Sequence, residues 1–234
     1  MSEAMLLRWD APGRYVVAFS TRRGGVSEAP FDTLNLGRLT DDDPEHVLEN
    51  RRRLAAGVGT DGELLRYGKQ VHGAVVRRAG QLGQAGDGLW SDTPGEPLLV
   101  FTADCLPVAL VRGNCAPAVA ALHVGWRGLL AGIVQAGAAA LGGAAAAAIG
   151  PGIGPCCYEV GEEVAGPYRD RFGDDVVAGG RLDLWTATER ALRAAGVGDV
   201  HRTDLCTNCH PELFFSHRRD AGRTGRQGMI AYVC

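Results

Sequence analysis

The sequence predicts an α+β fold, a single layered domain over residues 1–234 in which mixed sheets are covered by helices. Short apolar runs of strand length alternate with segments of helical apolar spacing along the chain. No linker-like stretch separates two halves, and no segment repeats. At 234 residues the chain can bury a large core, and one big domain accommodates it.

Taken in order, residues 15–20 (YVVAFS) read as a strand running into the turn-forming Thr21-Arg22-Arg23-Gly24-Gly25. Asp43-Pro44-Glu45 starts a helix: Asp43 caps it, Pro44 fits the first helical position and Glu45 meets the dipole. That helix should reach Gly57, burying Val47, Leu48 and Leu54 and leaving Arg51, Arg52 and Arg53 partly exposed. Residues 97–103 and 106–111 are strand material on either side of Asp104-Cys105, and 117–123 is a further strand. Residues 125–141 have helical spacing and 144–149 continue as a strand, ending in the loop Gly150-Pro151-Gly152-Ile153-Gly154-Pro155. That loop lacks the Lys-Ser/Thr of a nucleotide-binding P-loop and reads as a shaped turn, with Tyr158 beyond it suited to base stacking or to the core. Helices are expected over 160–172 and 184–195, the second capped by Asp183, and 228–233 closes the chain as a strand. The span 128–150 is long enough to cross a bilayer, with Gln135 its only polar side chain. Its Ala and Gly bring little transfer energy and Gly142-Gly143 breaks it, so a buried helix followed by a strand is expected.

Hydrophobic residues make up 46% of the chain and charged residues 22%, an ordinary balance for a globular protein. A net charge of −3 gives no general electrostatic reason to bind nucleic acid or an anionic membrane. Any anion recognition must be local. Glu3, Arg8, Asp10 and Arg14 interrupt any signal-peptide core, and seven cysteines without an export signal point to reduced thiols in the cytoplasm.

Two groups of residues could carry metal chemistry. Cys206-Thr207-Asn208-Cys209-His210 offers two thiolates from one turn. A closed site needs two more ligands, no second Cys-x-x-Cys exists, and the adjacent Cys156-Cys157 pair has poor spacing for chelation. A redox motif would open a helix, whereas Pro211 and Leu213-Phe214-Phe215 follow, so these cysteines are expected to be structural thiols in a packed loop. The second group is dispersed: His72, Cys105 and His123, each at or just past the end of an expected strand. Lone histidines at strand ends are usually structural, and separations of 33 and 18 residues carry no chelate signature.

Seven segments supply a further signal: STRRGG (20–25), LNLG (34–37), KQVHG (69–73), TADCLPV (102–108), HVGWRG (123–128), IGPGIGPCCYEVG (149–161) and FFSHRRD (214–220) with TGRQ (224–227). In this order they resemble the laccase-domain family, also called polyphenol oxidase-like and described as purine nucleoside phosphorylases, over nearly the whole chain. Val124 and Gly88 stand where that family usually has Ala. The resemblance implies that His72, Cys105 and His123 hold one catalytic zinc per chain. The donor chemistry agrees, since two neutral imidazoles and one thiolate leave a fourth position open for substrate. The same donors admit copper in trigonal form, and with it a weak polyphenol oxidase activity. Six histidines without a His-x-His pair cannot build the several coppers of a multicopper oxidase.

The activity implied is phosphorolysis of adenosine, inosine and methylthioadenosine, with purine nucleoside and phosphate as partners, and adenosine deamination beside it. The His-x-Glu and Pro-Cys-x-x-Cys signature of nucleobase deaminases is absent, which leaves Asp104 as the nearest acid or base. Arg22, beside Gly24-Gly25, and Arg127, near the start of a helix, are candidate phosphate contacts; either could instead pair with a structural carboxylate such as Asp104 or Asp87. Gln70 and Asn35 could read base or ribose atoms, and Arg218 or Arg219 could contact substrate. Two alternatives stay open. Cys105 could be a nucleophile with His123 or His72 as base, acting on a peptidoglycan-related amide, since family members have been linked to peptidoglycan editing. The chain could also be a metal-binding partner protein without turnover.

Overall fold

Strands buried on both faces must be apolar throughout, and the central runs of this chain are. The computed structural model describes residues 3–80, 82–113 and 116–234. Its elements are β1 (Leu6–Trp9), β2 (Tyr15–Ser20), α1 (Pro44–Gly57), β3 (Val76–Arg78), β4 (Gly88–Ser91), β5 (Leu98–Thr102), β6 (Leu106–Val111), β7 (Val119–Val124), α2 (Trp126–Leu130), α3 (Ile133–Ala140), β8 (Ala146–Ile149), α4 (Glu162–Phe172), β9 (Val177–Ala178), β10 (Arg181–Leu182), α5 (Leu184–Ala194), β11 (Asp199–Arg202) and β12 (Gln227–Val233). Four strands form one sheet, β1-β2-β12-β5, and six form another, β11-β8-β6-β7-β4-β3; β9 and β10 form a small hairpin.

Three cores stack these elements into layers. Between the two sheets lie Val17, Phe19, Val100, Met229 and Ala231 from one and Ala109, Ala121, Ala146 and Ala148 from the other. Alanine on that face of the six-stranded sheet leaves room for the larger residues opposite. The other face of the six-stranded sheet presents Val108, Leu110, Leu122 and Ile149 to Leu129, Val134, Tyr168 and Leu192 of α2–α5. The outer face of the four-stranded sheet, with Ala18, Leu99 and Ile230, is covered by Leu54 and Ala55 of α1 and by Leu34 and Leu36. Strand 106–111 thus reads as an unbroken apolar run, and 119–124 as one broken only by His123, because alternate residues feed two cores.

The expected α+β architecture is present, and the differences from expectation have local causes. Asp43 caps α1 by accepting the Glu45 N–H at 2.8 Å, and Asp183 caps α5 by accepting that of Thr186 at 2.9 Å. Residues 125–141 form two helices, because Gly132 adopts φ 91° and turns the chain between them. In α1, Leu48 is 37% exposed, whereas Arg51 is buried with its guanidinium over the rings of Tyr67 and Phe101. The apolar span after residue 128 is shared between α3 and β8, and no helix among the described residues is long and apolar enough to cross a membrane. β1, β3, β4 and β9–β11 are two to four residues long, too short to show a period.

Candidate metal centre

Strand register assembles the centre at one end of the six-stranded sheet. β6 and β7 pair antiparallel with Pro107 opposite His123, which sets Cys105 beside Gly125. A Cβ on Gly125 would lie 3.0 Å from Cys105 Sγ and 3.3 Å from the His72 ring, so a bare backbone makes room for the side chains to converge. β7 pairs with β4, Leu122 opposite Gly88, and this brings Asp87 to His123. His72 stands in the loop before β3, not at the end of a strand. The ligand atoms of His72, Cys105 and His123 all lie within 4.8 Å of one another, and the two imidazole rings meet edge-on at 4.9 Å. Two imidazoles and a thiol converging this closely fit a divalent metal with an open fourth position.

Asp87 organises the other two sides. It is 1% exposed. Its carboxylate accepts the backbone N–H groups of Val71, His72 and Gly73, the last two at 2.8 Å, and faces His123 Nδ1 at 2.8 Å. That contact leaves Nε2 of His123 for a metal, the carboxylate–histidine arrangement common behind metal ligands. His72 at φ 61° and Asp104 at φ 86° occupy left-handed backbone that non-glycine residues rarely adopt. Both strained positions lie at or beside candidate ligands, where a surrounding network must hold them.

The charges of Cys105, His123 and Asp87 depend on one another. Burial opposes ionisation of Cys105, yet the rings of His123 and His72 draw its thiol down to about 6. Burial likewise opposes charge on His123, which Cys105 and Asp87 draw up to about 9. Asp87 is buried, but His123 and the N–H groups of Gly73 and Val71 hold its carboxyl below the ordinary range. A metal bound there would displace the His123 proton below about 9 and a second proton, from Cys105, below about 6. The affinity of this pair for zinc should therefore fall about tenfold per pH unit below about 9, and more steeply below about 6. Chelator-competition titrations across that range measure the slope; a flat profile would refute the pairing.

The three side chains line a cleft of about 960 Å³, within the size of small-molecule sites. Arg38, Arg51, Lys69, Arg127, Arg218 and Arg226 also line it, against one carboxylate, Asp104. Local positive charge thus accumulates in a chain of net charge −3. Arg127 stacks on Trp126 at 4.4 Å and has no carboxylate partner among the described residues. α2 spans only Trp126–Leu130, so its dipole adds little to this exposed guanidinium. Arg218 Nη1 donates to the Glu159 carbonyl at 3.0 Å, and its guanidinium sits 5.4 Å from the centre of the Tyr158 ring.

Other expected contacts are committed elsewhere. Arg22 does not line the cleft; it pairs with Asp32 at 3.0 Å, donates to the Pro211 carbonyl and covers Phe215. Asn35 is fully buried, donates to Thr40 and Asp42, and accepts the N–H groups of Gly37 and Arg226. Gln70 lines the cleft, but its amide closes a two-bond tie with the Phe101 backbone, at 2.7 and 2.8 Å. Asp104 accepts the Thr207 hydroxyl on one oxygen at 2.6 Å and the Arg218 N–H on the other at 2.7 Å. Arg219 is held by Asp220 and by the Thr207 and Phe214 carbonyls.

A family model described as multi-copper polyphenol oxidoreductase laccase matches residues 16–234. The chain belongs to that family. It is 40% identical to purine nucleoside phosphorylase PA4543 of Pseudomonas aeruginosa over 96% of each chain. It is 42% identical to a purine nucleoside phosphorylase of Deinococcus radiodurans, over 91% of this chain and 87% of that one. The crystal structure of YlmD from Geobacillus stearothermophilus matches with a TM-score of 0.89 at 34% identity, covering 97% of this chain and 96% of that one.

Among the described residues, groups of three or more metal-type side chains are two: His72-Cys105-His123, and Cys156-Cys157-Cys206-Cys209. The second corrects the expectation that Cys156 and Cys157 are badly spaced for a shared ligand set. Sequence reasoning also missed Asp87 as a histidine partner and Arg38 and Arg226 as cleft residues. Their only signal was position, inside or beside family motifs, which assigns no role.

Proposed function

We propose that the chain is a zinc-dependent purine nucleoside phosphorylase, with one zinc held by His72, Cys105 and His123. One observation carries this reading: an open set of two imidazoles and a thiolate shares its cleft with six cationic side chains and a single carboxylate. Relatives named purine nucleoside phosphorylase support the same substrate class. Zinc bound there would act as a Lewis acid toward the nucleoside. Arg127, with Arg218 and Arg226, would bind phosphate and orient it against the sugar, so that the nucleophile arrives with its charge and needs no strong general base. Tyr158 and Phe101 offer aromatic surface to the purine. Adenosine deamination at the same centre would use Asp104, the carboxylate of the cleft, whose two oxygens each accept one hydrogen bond and keep a second lone pair. Copper in place of zinc suits the same donors and would give at most weak oxidase chemistry.

A second reading has an observation of its own. Cys105, His123 and Asp87 have the connectivity of a nucleophile, base and orienting acid. His72, a second imidazole against the same sulfur, is superfluous to a nucleophile and natural to a metal. Product analysis separates the two. With inosine or adenosine, base release should require inorganic phosphate and yield ribose 1-phosphate. Arg127→Ala should lower that turnover by on the order of 10²-fold with zinc content unchanged. Free ribose formed equally fast without phosphate would make the enzyme a hydrolase, and inosine accumulating from adenosine without base release a deaminase. Cleavage of a cell-wall amide by metal-free protein would establish the cysteine nucleophile.

A further inference from the structure

We propose that Cys156, Cys157, Cys206 and Cys209 form a second metal site, a closed zinc centre of four thiolates that clamps a loop of the cleft wall to the turn behind it. The four sulfur atoms lie within 4.8 Å of one another, with Cys209 Sγ 3.5 Å from that of Cys156 and 3.4 Å from that of Cys157. Four thiolates bound tetrahedrally at about 2.3 Å from zinc stand about 3.8 Å apart, inside the range seen here. A disulfide would instead bring one pair to about 2.05 Å and leave the others out. Here one sulfur is shared almost evenly between two neighbours, and a fourth closes the group.

The local backbone favours this assembly. Consecutive side chains in an extended segment point apart, which is why the pair Cys156-Cys157 looks unsuited to one ion. In this chain both lie in a tight turn, with the N–H groups of Cys157 and Tyr158 donating to the Gly154 carbonyl at 3.0 Å, so both sulfurs reach the same point. Across from them, the Cys206–Cys209 turn aims backbone N–H groups of Asn208 and Cys209 at Cys206 Sγ, which also receives the Gly154 N–H at 3.3 Å. Such donors stabilise the thiolate that a metal requires. Four thiolates leave no open position, so the centre is structural rather than catalytic.

Its placement gives it a task. The two turns are already bridged by Thr207 N–H to the Gly152 carbonyl at 3.0 Å. From there, Thr207 Oγ1 and the Ile153 N–H both donate to Asp104, next to Cys105, while Tyr158, next to Cys157, lines the cleft. Zinc would hold the loop bearing Tyr158 against the Cys206–Cys209 turn, whose Thr207 in turn holds Asp104.

Cys105→Ala protein tests this independently of the first centre. Purified and dialysed, it should keep about one zinc per chain, with an X-ray absorption shell of sulfur alone at about 2.3 Å. Adding Cys156→Ser and Cys209→Ser should bring zinc to near zero. Because that variant could fail to fold, thiol counting on Cys105→Ala protein provides a second measure: four cysteines should react only after a chelator is added. Immediate reaction of all four with no zinc present, a disulfide among them, or a shell of mixed nitrogen and sulfur would overturn the proposal. Loss of zinc from the first centre alone leaves it standing.

Discussion

Cys105→Ala, His72→Ala and His123→Ala should each strip zinc from the cleft and lower nucleoside turnover by on the order of 10³-fold. Each leaves two ligands where three converge within 4.8 Å, too few to hold a metal against solvent. The magnitude follows from the several kcal/mol a Lewis acid contributes to a transition state, at about 1.4 kcal/mol per tenfold in rate. Cys105→Ala is the cleanest of the three, because it disturbs neither the Asp87 contacts of His123 nor those of the His72 loop. Metal analysis of the three variants, with the four-cysteine group intact as an internal reference, checks the assignment. Retention of cleft zinc and full turnover in all three would end it.

Asp87→Ala should damage fold and centre together. The carboxylate takes up three backbone N–H groups and one imidazole N–H, and each buried donor left unpaired costs about 1–3 kcal/mol. Val71 and His72 are exposed, so their amides can turn to water, and the net loss of stability should be about 3 kcal/mol. Zinc affinity should drop by on the order of 10–100-fold, the usual cost of removing a partner behind a metal-bound histidine. Asp87→Asn keeps one acceptor and should fold better while still losing affinity. Denaturant unfolding of the metal-depleted variants and zinc competition on the folded ones separate the two effects. Wild-type zinc affinity in Asp87→Ala would show that His123 needs no orienting partner.

Local chemistry explains what was legible beforehand. The helix caps at Asp43 and Asp183, the strand at 106–111, the strand read at 117–123 and found at Val119–Val124, and the terminal strand follow from near-neighbour rules. His72, Cys105 and His123 were visible as a set only through motif resemblance, because their convergence is made by the pairing of β3, β4, β7 and β6. Arg22 and Asn35 show how little a motif position says of a side chain's partners. Both lie in family motifs, yet Arg22 is spent on Asp32 and Phe215 and Asn35 on loop hydrogen bonds.

By itself, then, the sequence determined the longer strands and the capped helices, which thiols and imidazoles are available, and that anion binding must be local in a chain of net charge −3. Only the tertiary structure decided which of them meet. It set Asp87 behind His123, gathered six cations around one cleft and folded an adjacent cysteine pair onto a distant Cys-x-x-Cys. The physical reason is range: caps, periods and turns are settled within a few residues, whereas a ligand set depends on strand order and register that no local pattern encodes.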